Sequence, residues 1–185
     1  MRPMLRSTGA GVLGAGAIDD RLRSLHIDML DWCVLNKYRK PVGKPFSCEN
    51  LSRDKTRSYP ELSSSYKAAS VKLVAIYLCT RACDLPPESD HNKLVITCAW
   101  SYLEYLRILD ESGRYMTQHE RAGAYDAAGL FLQTYAKLAK QSWYAGVFMW
   151  KVRPKHHHMD HVRTLLKSRP LGPCKPPCIH QVLMF

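Results

Sequence analysis

Apolar residues recur every three or four positions through most of the chain, the spacing that lines one face of an α-helix. From Asp19 to about Lys37, the positions Leu22, Leu25, Met29 and Trp32/Cys33 step this way and predict a first amphipathic helix. The stretch "RKPVGKPFSCENLSRDKTRSYPELSSS" then interrupts the period with Pro41, Gly43, Pro45 and Pro60. It predicts a long ordered loop with a short turn, laid over the core and pinned by Phe46, Leu51 and Tyr59.

Ser63–Ser65 can cap a second helix reaching Cys83, with Tyr66, Ala69, Leu73, Ile76 and Cys83 on one face. "DLPPES" stops it. A third helix is expected from Asp90 to about Asp110, through Leu94, Cys98, Tyr102, Tyr105 and Leu109, with Gly113 placed to end it. "TQHE" at 117–120 has the form of a capping box, Thr117 as N-cap and Glu120 reaching back. The fourth helix then carries Tyr125, Leu132, Tyr135 and Leu138 to about Tyr144. Pro154 suits the first turn of a fifth, ending near Ser168 before "RPLGPCKPPC". The pattern predicts an all-α fold, an irregular bundle of about five helices with a long basic loop after the first. The expected layout is a flexible leader over 1–18, one helical domain over 19–168 and an extended Pro/Cys-rich tail over 169–185.

Length permits one domain with a sizeable core, because the chain has 185 residues. No run approaches about 18 uninterrupted apolar residues, so no membrane span is expected. The glycine- and alanine-rich start is too poor in Leu, Ile and Val for a signal-peptide core. Seven cysteines, an odd number mostly inside apolar helical patterns, favour free thiols and an intracellular setting, nuclear or cytoplasmic.

Charge changes the picture more. The net charge is +11, and it sits at the two ends. Residues 1–60 hold 11 Lys and Arg against 6 Asp and Glu, residues 61–150 hold 9 against 9, and residues 151–185 hold 7 against 1. Such a layout suits an anionic partner, nucleic acid being the commonest, or else basic ends that keep the chain soluble. Lys44, Arg53, Lys55 and Arg57 interleave with Phe46 and Tyr59, a mixture able to contact phosphates and stack on bases. Lys151, Arg153 and Lys155 form a second basic group facing solvent or phosphate.

Candidate chemistry is confined to "KHHHMDH". On a helix, His157 and His161 share a face at a spacing that can chelate a divalent metal. Cys174 and Cys178 in the tail can complete a zinc set, structural or hydrolytic, since thiolate and imidazole both suit that ion. The other reading is that the imidazoles hold the last helix against its neighbours and no cofactor is bound. The glutamate of H-E-x-x-H is missing, and no Ser or Cys is marked as a nucleophile. "GAGVLG" at 9–14 matches a dinucleotide fingerprint but lacks the preceding strand that such a site requires.

Three stretches carry a resemblance: "DWCVLNKYRKPVGKPFSCENLSRDKTRSYPELSSSYKAASVKLVAIYL", "RYMT…AYDAAGLFLQTYAKLA" and "WKVRPKHHHMDHV". Together they resemble multicopy protein families of protist genomes that descend from mobile elements. A similar Pro-Lys-x-His-x3-His stretch occurs late in proteins derived from cut-and-paste transposases. The match spans roughly residues 20–165. It implies a later helical segment of a transposase-like protein, without the three-carboxylate metal site, which has no counterpart here. The function expected is a non-catalytic helical module that binds DNA, RNA or another protein chain. A metal protein or a folded remnant without activity are the other expectations.

Overall fold

The computed structural model describes residues 18–51, 59, 62, 66–147 and 149–168. Among them are five helices and no strand: α1 (Ile18–Leu35), α2 (Ala68–Cys83), α3 (Asp90–Glu111), α4 (Gln118–Tyr144) and α5 (Pro154–Ser168). The fold is all-α, as the periodicity predicts. The expected leader, apart from Ile18, and the expected tail lie outside the described residues.

Local signals set the helix ends. Ser89 caps α3 by accepting from the Asn92 amide at 3.0 Å. At α4 the capping box is complete: Thr117 Oγ1 accepts from the Glu120 amide at 3.2 Å, and Glu120 Oε2 accepts from the Thr117 amide at 2.6 Å. Two C-termini use the left-handed region. Lys37, with φ 58°, ends α1, and the Tyr38 amide reaches back to the Cys33 carbonyl at 2.9 Å. Gly146, with φ 66°, ends α4, and the Val147 amide donates to the Ser142 carbonyl at 2.9 Å.

Two expected ends are corrected. α3 stops at Ser112 in extended backbone rather than at a left-handed Gly113. α2 starts at Ala68, after Lys67, which makes no side-chain capping bond. Ser63–Ser65 lie outside the described residues.

Packing divides the interior into two apolar clusters. α3, α4 and α5 surround Cys98, Tyr102, Tyr105, Leu106, Phe131, Leu138 and Met159. α1, the loop and α2 surround Met29, Cys33, Phe46, Tyr66, Leu73, Val74 and Tyr77. α2 belongs to both, since its Ala75, Ile76 and Cys79 pack against the first cluster. That shared position explains a phase error. Ala69, expected on the buried face, is exposed, while Ser70, Leu73, Val74 and Tyr77 are buried. A helix covered on two sides has no single apolar stripe to read.

Over 41–51 the loop packs against α1 and α2. Phe46 inserts beside His26, their ring centroids 5.0 Å apart. Asp19 Oδ1 accepts from the Cys48 amide at 2.7 Å, and that bond holds the Asp19 carboxyl below its ordinary value. The Val42 amide donates to Ser70 Oγ at 3.0 Å, and the Tyr66 hydroxyl donates to the Lys44 carbonyl at 2.6 Å.

Gly43 is the tight point of this loop. A Cβ at this position would lie 2.5 Å from both Cε1 and Cζ of the buried Tyr66 ring. That ring is fixed by its hydroxyl and by Phe46, stacked at 6.3 Å, so it has little room to yield. Gly43→Ala is therefore expected to destabilise the protein by about 1–3 kcal/mol, as overpacking does. Urea denaturation checks this, and an unchanged midpoint would contradict the close approach.

Candidate functional site

The segment leading into α5 is built onto α4. The Tyr135 hydroxyl donates to the Lys151 carbonyl at 2.9 Å, and the Trp150 ring meets the Tyr135 ring edge-on at 5.5 Å. Pro154 occupies the first helical position, and the backbone amide of the preceding Arg153 donates to His156 Nδ1 at 3.0 Å. This is half of a capping box, with an imidazole in place of the usual carboxylate. The same Nδ1 also lies 3.2 Å from the Arg153 carbonyl, so the tautomer sets which of the two backbone groups it engages.

The helix then sorts its four histidines by direction. Met159 is buried, with Lys155, His156, Val162, Arg163 and Leu166 half-buried around it on the core side. The His156 ring lies 4.4 Å from Tyr135 and stacks on Phe131 at 6.3 Å. Burial there, together with the neighbouring charge of Arg153, holds His156 below the ordinary imidazole value, although the Arg153 carbonyl beside Nδ1 acts in the opposite direction. Burial likewise pushes the Tyr135 phenol up to about 12. His157, His158 and His161 are exposed.

The expectation that the imidazoles hold the helix in place is thus met by His156 and corrected for the other three. His157 and His161 point away from Met159, about 160° and 200° around the helix from it. Their Nε2 atoms face each other at 2.9 Å, and their ring centroids are 4.3 Å apart.

The second basic segment meets the first at Tyr59. The Lys151 ammonium sits over the Tyr59 ring, 5.8 Å from its centroid. The end of the basic loop and the approach to α5, far apart in sequence, therefore lie side by side. Lys44 and Lys151 are exposed, and Arg153 and Lys155 are half-buried. Arg53, Lys55, Arg57, Cys174 and Cys178 lie outside the described residues. Among the described residues, no group of three or more His, Cys, Asp or Glu stands together as a metal cage.

Sequence reasoning passed over the aromatic residues at this end of the bundle. Trp143 is 70% exposed and Tyr144 is 77% exposed, and the Lys140 ammonium lies 5.8 Å from the Tyr144 ring centroid. Gln133, Lys137, Lys140 and Tyr144 fall on one face of α4, opposite the buried Leu138. The signal available was the adjacent pair "WY". Next to Ser142, which is buried, neither ring has the phase to reach the core.

Elsewhere the chemistry is closed. A shallow groove of about 350 Å³ beside Trp100 holds Arg107, Glu104 and Glu111, already paired with one another. Burial pushes the Cys79 thiol up to about 12 and the Cys98 thiol to about 11, so neither is a thiolate near neutral pH. No helix among the described residues is long and apolar enough to cross a membrane.

Fold and site together define a class: an α-helical bundle in which the basic approach to α5 packs on α4 and beside Tyr59 of the basic loop. No family model matches the chain, and no curated protein or solved structure is significantly similar to it.

Proposed function

We propose that this chain is a non-catalytic helical module that binds nucleic acid on the surface where the basic loop meets the approach to α5. The observation that carries the reading is the Lys151–Tyr59 contact, which brings two basic segments to one place. Cations there neutralise phosphates, and the exposed Trp143 ring, about 80° around α4 from Tyr135, offers a face on which an unpaired base stacks. Trp143 is eight residues beyond Tyr135, about 12 Å along α4, and so within one short oligonucleotide of Lys151. Descent from a transposase-like mobile element agrees with this reading and rests on the sequence motifs. An intracellular setting agrees with the free thiols at Cys33, Cys48, Cys79, Cys83 and Cys98.

Fluorescence anisotropy with labelled single-stranded and duplex oligonucleotides tests the proposal. Binding by the full chain is expected at about 50 mM salt, falling steeply as salt rises. Lys151→Glu is expected to weaken it severalfold and to lower the salt slope by about one. Arg114→Glu changes net charge equally, at the opposite end of α4, and is expected to have a far smaller effect. No binding at low salt, or equal losses in the two variants, would refute the assignment.

A further inference from the structure

We infer that His157 and His161 form a two-imidazole site for a divalent first-row transition-metal ion on the outer face of α5. The inference does not depend on nucleic-acid binding. It starts from direction: both rings project from the face opposite Met159, so packing does not account for their placement. It continues with distance. A metal held about 2.0–2.1 Å from each of two nitrogens, at an angle between about 90 and 109°, requires them about 2.9–3.4 Å apart. The two Nε2 atoms stand at 2.9 Å, the lower end of that range. The bite is therefore present before any metal arrives, and the regular helix from Pro154 to Ser168 holds it.

The pair in its metal-free form is an N–H···N hydrogen bond, so one Nε2 carries a proton and the other accepts it. Coordination requires the donating ring to move its proton to Nδ1 through solvent, which leaves both rings neutral and both Nε2 lone pairs available. The donor set selects the metal. Imidazole suits Cu²⁺, Ni²⁺, Zn²⁺ and Co²⁺, whereas Mg²⁺ and Ca²⁺ prefer oxygen. The nearby Asp160 carboxylate is turned to Arg163, at 3.4 Å, so it does not supply a third ligand in this arrangement. Two protein ligands leave the other coordination positions to water or to a donor from another molecule. This differs from the four-ligand set with Cys174 and Cys178 suggested by sequence, because the pair is complete without the tail.

Isothermal titration of tag-free full chain with Co²⁺, Ni²⁺, Cu²⁺ and Zn²⁺ tests it. One ion per chain is expected, bound more tightly for Cu²⁺ than Ni²⁺ and for Ni²⁺ than Co²⁺. His157→Ala and His161→Ala are each expected to weaken binding at least about tenfold, since even an outer partner of a ligand is worth that much. His158→Ala and Cys174→Ser/Cys178→Ser are expected to stay within about twofold of the parent. Far-UV circular dichroism confirms that each variant remains helical, which substitution at exposed positions favours. Unchanged binding in His157→Ala/His161→Ala would overturn the site. So would a tenfold loss in the tail-cysteine variant.

Discussion

Tyr77→Ala is expected to lower the unfolding free energy by about 3–5 kcal/mol, the range for deleting a large buried aromatic ring. The side chain is 0% exposed and lies where α2 faces α1. Its ring meets Trp32 edge-on at 5.7 Å, and its hydroxyl donates to Asp28 Oδ2 at 2.5 Å, with the Leu25 carbonyl also in reach at 3.2 Å. Burial and the Asp28 carboxylate push the phenol well above its ordinary range, so it stays a donor at any physiological pH. Arg81 grips the same carboxylate through Nε at 2.9 Å and Nη2 at 2.6 Å. This pair is half exposed and contributes little by itself. The ring therefore contributes more to the α1–α2 contact than this ion pair does. Tyr77→Phe separates the two contributions, because it keeps the volume and loses the hydroxyl, at about 1–2 kcal/mol. Urea titrations of both variants provide the measurement. A loss under about 1 kcal/mol for Tyr77→Ala would show that the site collapses freely or is not packed as described.

The second large effect is expected at Leu138→Ala, about 2–5 kcal/mol. Leu138 is 0% exposed on α4, in the cluster that α3 and α5 complete. Its neighbours there include Tyr102 and Phe131, whose rings pack at 5.0 Å and leave little freedom to close a cavity. Leu132, on the same helix, is partly buried at the edge of that cluster. Leu132→Ala should cost clearly less. Equal losses for the two leucines in the same denaturation experiment would mean that α4 is rotated from the position described.

What the chain discloses by itself follows from how local each signal is. The capping box at Thr117 and the proline at 154 act within one turn, so the starts of α4 and α5 are readable without tertiary information. α2 is misread by about one residue because neighbours cover two of its sides, and Ala69 and Tyr77 exchange roles. For the histidines, composition draws attention while phase decides. Met159, Val162 and Leu166 step by three and four and place His157 and His161 outside, so this division was present in the sequence. The meeting of Tyr59 with Lys151 was not, since it depends on how the whole loop is laid across the bundle. The exposed pair Trp143 and Tyr144 falls between, legible in phase and lacking a partner motif to mark it.

Division of the interior into two clusters has a consequence for how the molecule opens. α3 and α4 share the most extensive contact, and α1 touches α2 sparingly. The interactions of α3, α4 and α5 also connect neighbours in sequence, which favours their early and independent assembly. α1 and the loop across it then behave as a separate foldon. Their amides exchange with solvent deuterium through a low-energy detachment, while those of α3 and α4 wait for the global transition.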